Sequence, residues 1–278
     1  MNINTDTQLQ TYEAELAAWH AQLETSLRSD TGWLTLAGLH WLHEGENTVG
    51  SDPTCDVPLP ADSTPERIGT ITLRDGTASI LITTDETVTV DDQTVTTTDL
   101  RNDNHEQGPS LVRVRGITFF VIKREDQYGI RVRDINNPAR QTFAGRRWYP
   151  TNPALHVTAQ FHRYAEPRRL TVITSTGLPS PMNNLGWADF MLDGHALRLE
   201  AFEGGKDKLW FIFRDATSGK TTYGSGRFMY ASLLPDDQID LDFNRAYSPP
   251  CAFTPYATCP LPPKENHIPL PIEAGEIK

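Results

Sequence analysis

The sequence predicts a mainly β protein with one long helix at its N-terminus, and three observations carry that expectation. Apolar residues recur at helical spacing only over the first thirty positions; from Trp33 onward short β-rich runs broken by turn residues take over; and charge divides the chain into two unlike halves. We expect a helix within residues 1–30, a β-sandwich over 31–142, and an antiparallel β-meander over 143–278 that curls into a barrel. A proline-rich strap at 247–272 ends the second unit.

The helix rests on Leu9, Tyr12, Leu16, Trp19, Leu23 and Leu27, whose three- and four-residue steps line one face. Thr5 with Gln8 reads as its capping box. The runs WLTLAGLHWL, ENTVG, RIGTITL, ASILITT, SLVRVRGITFFVIK and YGIRVRDI follow, each the length of a strand. After the turn signal Asn136-Asn137-Pro138 a second series begins, from HVTAQFHRY through WADFMLDG, KLWFIFRDATSG and TYGSGRFMYASL to QIDLDF. Its connections are short, with Asp193-Gly194 and Ser218-Gly219 as hairpin signals, so neighbouring strands run antiparallel.

The formal charge is -11, and its distribution separates the halves. Residues 1–142 hold 22 acidic against 11 basic side chains, while 143–278 hold 14 of each. An acidic first half repels phosphate backbones, so neither nucleic acid nor an anionic membrane surface is an expected partner. Arg163, Arg168 and Arg169 read as surface arginines near turns rather than a binding stripe. The opening MNINTDTQLQ lacks a basic and an apolar targeting region, and no stretch reaches eighteen apolar residues. Three cysteines make no secreted disulfide framework, so we expect reduced thiols and a cytoplasmic protein.

Two resemblances enter at specific motifs. The stretch GENTVGSDPTCDVPLP, residues 45–60, resembles the opening of the forkhead-associated (FHA) domain: a strand, a glycine turn, then a Cys-Asp-hydrophobic strand. That resemblance implies an FHA-like sandwich. In the family an arginine after the glycine, and a later Ser and His, grip phosphothreonine; here Ser51 and Asp52 follow Gly50, and Pro65-Glu66-Arg67-Ile68-Gly69 has no histidine. A carboxylate where a phosphate should sit is repulsive, so phosphothreonine recognition is not expected. Longer motifs, WHAQLETSLRSDTGWLTLAGLHWLHEGENTVGSDP, FIFRDATSGKTTYGSGRFMY and LDFNRAYSPPCAFTPYATCPLPPKENHIPLPIEAGE, are similar to the domain of unknown function 1684 family of bacterial and archaeal proteins. That resemblance implies membership and no activity.

Chemistry is less legible. His40 and His43 would face one way on a helix, but on the strand WLTLAGLHWL three positions apart point to opposite faces, so the pair cannot chelate a metal. The common zinc-protease, serine-hydrolase and nucleotide signatures are missing, and Tyr223-Gly224-Ser225-Gly226-Arg227 reads as a glycine-flanked turn. No cofactor and no metal site are expected. Cys251 and Cys259, with Glu265 and His267, match no close zinc spacing; packed thiols, a disulfide, a metal site or a nucleophile remain open for them.

Arg147, Tyr223, Arg227, Asp242, Asn244 and Tyr247 are the candidate ligand-binding residues. An arginine inside a barrel mouth must be paired, and Asp242 is the expected partner of Arg227 or Arg147. This is either a structural ion pair or part of a pocket for a small anionic molecule, since a planar guanidinium suits bidentate capture of carboxylate or phosphate. The stretch 241–276, which contains the strap, holds eight of the twenty prolines and four aromatics, a composition unlike that of a disordered tail. We expect it to cross the open end of the barrel with Phe253 and Tyr256 as anchors. Two functional readings follow: a small-molecule pocket in the barrel unit, catalytic or not, or a non-enzymatic adaptor whose sandwich holds a protein partner of unknown identity.

Overall fold

A 23-residue helix, Asp6–Arg28, opens the described chain in the computed structural model, which describes residues 6–61 and 64–278. Thr5, the expected cap, lies outside the described residues. The helix buries Tyr12, Leu16 and Leu27 on one face, as the periodicity requires. Contacts divide the chain into two units, one formed by residues 26–143 and the other by 1–25 together with 144–278.

The first unit is a sandwich of a six-stranded and a five-stranded sheet. In the larger, Ile117–Arg124 and Gln127–Asp134 form the central hairpin; in the smaller, Gly45–Gly50, Gly69–Arg74 and Thr77–Ile82 pair antiparallel. Alternation puts Val49, Ile71, Ile80, Phe119, Val121 and Ile130 into one core at 0% exposure. The turn after Gly50 is occupied by its own polar groups. Ser51 Oγ donates to the Thr64 carbonyl at 3.0 Å, and Asp52 Oδ1 accepts from the Thr54 amide and hydroxyl at 2.8 and 2.7 Å. These Thr54 bonds hold the Asp52 carboxyl below its ordinary range, so the turn carries a negative charge.

The second unit is a closed six-stranded antiparallel barrel of His156–Ile173, Pro179–Leu192, His195–Glu203, Lys208–Phe213, Arg227–Leu233 and Gln238–Asp242. The Asp193-Gly194 turn joins the second strand to the third with both residues at positive φ, as a tight right-twisting hairpin demands. The interior is not a cavity. Phe161, Phe190, Phe211, Phe213, Met229 and Phe243 fill it.

The strap is ordered and runs from strand end to strand end. The Ser175 amide donates to the Cys259 carbonyl, Leu261 to Ile173, and Ile268 to Arg214, each at 2.7 or 2.8 Å. Its anchors differ from those expected: Ile268, Ile272 and Ala274 enter the barrel core, whereas Phe253 and Tyr256 are only half-buried. Small aliphatics fit the narrow space left at the end of a filled barrel, where large rings cannot enter. Phe253 instead offers its ring face to the Arg146 guanidinium, 4.6 Å from the centroid.

Candidate functional site

Period-two alternation in two barrel strands sorts the charged residues of the second unit into an inner and an outer set. Along Arg227–Leu233, Arg227, Met229 and Ala231 point inward, and Phe228, Tyr230 and Ser232 outward. Along Gln238–Asp242, Ile239 and Leu241 point inward, leaving Asp240 and Asp242 on the outer wall. Arg227 and Asp242 are therefore on opposite sides of the barrel wall, and the pairing expected between them does not form.

Arg227 pairs instead with Asp215, from the turn after Lys208–Phe213, and both side chains are 0% exposed. The same guanidinium donates to the strap carbonyls of Ala274 and, at 2.9 Å, Ile272. Asp215 in turn accepts from the Thr217 amide at 2.6 Å. Gly226 makes this geometry possible: it sits at φ 97°, and a Cβ there would lie 2.4 Å from the Phe213 carbonyl oxygen. The cluster ties the C-terminal segment to the barrel and is sealed from solvent.

Arg147 is exposed in a two-stranded ladder opposite Ile277, so it too makes no pair with Asp242. Its neighbour Arg146 is the buried one, bonded to Glu276 at 2.5 Å, with Glu276 also accepting the Ser248 amide at 2.7 Å. Asn244 is buried and structural: it accepts the Asn152 amide, donates to the Asn152 carbonyl, and donates its own amide to Asp242. Tyr223 donates to the Cys251 carbonyl at 2.8 Å, away from the other candidates. The six candidates thus do not share one cavity.

A cleft of about 610 Å³ does exist on the outer wall, and it holds two of them, Asp242 and Tyr247. Helix residues Trp19 and Leu23 form one side; Lys208, Tyr230, Asp240 and Arg245 form much of the other. Asp242 is fully committed. Tyr12 donates its hydroxyl to the two oxygens at 2.8 and 2.9 Å, Asn244 donates its amide at 3.0 Å, and Arg245 Nε donates at 3.2 Å. Burial and the Asp242 charge push the Tyr12 hydroxyl well above its ordinary range, so it remains a donor. Asp240 is bonded to His156 Nε2 at 2.6 Å, and that bond lowers its carboxyl.

The donors left over are cationic. Arg245 Nη2 reaches only Glu15, at 4.0 Å, and among the described residues the Lys208 ammonium has no partner. Aromatic rings flank them. Trp19 lies 6.3 Å edge-on from Tyr247 and carries the Arg245 guanidinium 5.6 Å over its ring, while Tyr230 stacks on Trp210 at 6.1 Å. Burial raises both Tyr230 and Tyr247, whose hydroxyls hydrogen-bond to each other, so both are neutral. Behind Trp19, His20 stacks on Trp148 at 3.7 Å; burial first, then Arg245 and Arg146, push it down to about 4.

Sequence reasoning missed Trp19, Lys208, Tyr230 and Asp240 as site residues. Trp19 read as helix core and Tyr230 as strand, and only the closed barrel brings them together; alternation within QIDLDF was the one local signal available. Among the described residues no group of three or more His, Cys, Asp or Glu could hold a metal ion, and no helix is long and apolar enough to cross a membrane.

The fold and site define a two-unit, mainly β protein whose second unit is a filled antiparallel barrel sealed by its own strap, with a mixed aromatic and cationic cleft outside. Residues 141–277, the barrel and strap, match the family described as protein of unknown function (DUF1684), and the chain belongs to that family. It is similar to an uncharacterised protein from the rrnAC0354 locus of Haloarcula marismortui, solved by solution NMR. The two are 33% identical, covering 50% of this chain and 79% of that one, with a TM-score of 0.41. Two FHA domains, one studied for phosphothreonine-dependent interactions and one, from FhaA, solved with the intracellular domain of Rv3910, are 18% identical. Each covers 34% of this chain, and 92% and 97% of their own chains are covered; a TM-score of 0.25 is too low to define the sandwich by them. No curated protein matches the chain.

Proposed function

We propose that the protein binds, or acts on, a small anionic molecule in the cleft on the outer wall of the barrel unit. The observation that carries this reading is the commitment of the acidic groups. Asp242 has its oxygens filled and Asp240 is bonded to His156, while, among the described residues, Lys208 is left to face the space and Arg245 Nη2 meets only Glu15, at 4.0 Å. A guanidinium and an ammonium beside Trp19 and Tyr230 suit a carboxylate or phosphate attached to a flat apolar body. We place this activity in the cytoplasm, a reading supported by three free thiols.

Calorimetric titration with phenyl phosphate, and with benzylamine as a cation of similar size, tests the reading. Phenyl phosphate should bind, benzylamine should not, and Lys208→Glu should weaken phenyl phosphate by roughly tenfold or more, the equivalent of one ion pair. Equal binding of the two probes, or phenyl phosphate binding indifferent to Lys208, would overturn it.

A further inference from the structure

Away from the cleft, the strap brings two of the three cysteines together. Cys251 lies in the turn Pro250–Ala252 and is half-buried; Cys259 is buried at 5% exposure. The Cys251 amide donates to Cys259 Sγ at 3.2 Å, which places the inner sulfur beside the backbone of the outer cysteine. The barrel fixes both ends of the loop between them. Cys259 donates its amide to Ser175 Oγ at 3.1 Å, Ser175 Oγ donates to the Ala257 carbonyl at 2.9 Å, and Tyr223 holds the Cys251 carbonyl at 2.8 Å. Prolines at 249, 250 and 260 stiffen the chain on either side.

The Cys259 thiol, Tyr223 and Ser175 are grouped around Cys251. These neutral polar groups, Cys259 first and then, against the opposing effect of burial, Tyr223 and Ser175, bring the Cys251 thiol down to about 7. Tyr223 is pushed up to about 12, by burial first, and stays protonated, with its hydroxyl proton on the Cys251 carbonyl. The third thiol is the opposite case: Cys55 is buried in the sandwich, its Sγ is 3.8 Å from the Glu66 carbonyl, and burial raises it.

We propose that Cys251 and Cys259 form a redox-active dithiol that reduces hydroperoxides, with Cys251 as the attacking thiol and Cys259 as the resolving one. The Cys251 thiolate attacks a peroxide oxygen and the O–O bond breaks. Cys251 becomes a sulfenic acid, and the other oxygen leaves as water or an alcohol after taking up a proton. The Cys259 sulfur then attacks the Cys251 sulfur, an S–S bond forms, and the hydroxyl leaves with the Cys259 proton as water. Two thiols have lost two electrons to one peroxide. Two equivalents of a low-molecular-weight thiol return the pair to its reduced state: the first attacks the more exposed Cys251 sulfur and releases the Cys259 thiol, and the second attacks the mixed disulfide, releases the Cys251 thiol and leaves as the oxidised thiol dimer.

The test exposes the full-length protein to limiting hydrogen peroxide, blocks remaining thiols with N-ethylmaleimide, and maps peptides without reduction. One disulfide joining 251 to 259, with Cys55 alkylated, is the expected product. Cys259→Ser should leave a sulfenic acid at Cys251 that dimedone traps, and Cys251→Ser should slow peroxide consumption at least about tenfold. In the unmutated protein the alkylation rate of Cys251 should be half-maximal near pH 7, and Tyr223→Phe should move that midpoint upward. Three free thiols after peroxide treatment, oxidation at Cys55 in preference to Cys251, or a Cys251 midpoint at the ordinary value near 8.5 would overturn the proposal.

Discussion

Two Arg–Asp pairs of the barrel unit have the same chemistry and opposite surroundings. Arg227–Asp215 is 0% exposed on both sides; Arg227 Nη1 and Nη2 donate to the Ala274 and Ile272 carbonyls, and among the described residues its Nε is buried without a hydrogen-bond partner. Arg245–Asp242 has an acid that is almost wholly covered and a guanidinium that is 31% exposed, with its outer nitrogens toward the cleft. The first pair is sealed from solvent, and its terminal nitrogens hold the chain that follows the barrel. The second positions a cation while leaving part of it free. An ionic pair is a poor marker of a site by itself; which donors remain both uncommitted and exposed is the more informative question.

The largest way to break the comparison is to remove what the closed pair holds. Ending the chain after Ala246 deletes Ile268, Ile272 and Ala274 from the core and strips Arg227 of its carbonyl acceptors. The barrel unit should lose its cooperative melting transition; an unchanged transition would mean the strap is decoration. Asp215→Ala leaves the Arg227 charge buried without its partner and should cost about 3 to 5 kcal/mol in denaturant unfolding. Asp242→Ala should cost less, about 1 to 3 kcal/mol, because it leaves the Tyr12 and Asn244 donors unmatched while Arg245 can turn to water. Equal costs for the two would erase the distinction drawn here.

How much of this was legible in the chain depends on distance along it. The N-terminal helix, the hairpin at Asp193-Gly194 and an ordered strap follow from local period, turn chemistry and composition, and each is present. That an arginine inside the barrel would need an acidic partner follows from the cost of burying a charge, but which acid it takes does not. Asp215 and Asp242 are both reachable from Arg227 in sequence terms, and only the inward or outward sense of each strand separates them. The same one-residue ambiguity made Arg147 the candidate where Arg146 is the buried residue, since neighbours on a strand face opposite ways. Phe253 and Tyr256 read as anchors by size, yet the end of a filled barrel takes Ile268 and Ile272 instead.

A finer probe of the open pair's surroundings is pH. His20 is held near 4 in the folded protein against 6.5 for the ordinary ring, so as pH falls the unfolded chain takes up the proton first. His20 thus contributes stability that is present above pH 6.5 and lost as pH falls toward about 4. His20→Phe keeps the stacking on Trp148 and should lose less stability than the unmutated protein across that window. Parallel losses would show that the ring is not shielded. The smallest expected effect on stability is at Lys208, where replacement by Glu should change unfolding by no more than about 0.5 kcal/mol while weakening an anionic ligand. Phosphothreonine peptides should show no binding to the sandwich, because Asp52 occupies the turn; micromolar binding that vanishes on dephosphorylation would contradict this.

The most direct measurement of the central claim is a heteronuclear NMR titration of the full-length protein with phenyl phosphate, following the six tryptophan indole N–H signals. Trp19 borders the cleft, whereas Trp33 begins the sandwich. The account predicts a saturable shift at Trp19, accompanied by the backbone amides of Lys208, Tyr230 and Arg245, and abolished or strongly weakened in Lys208→Glu, with Trp33 unmoved. No shift at Trp19 at millimolar ligand, or shifts centred on the sandwich, would contradict it.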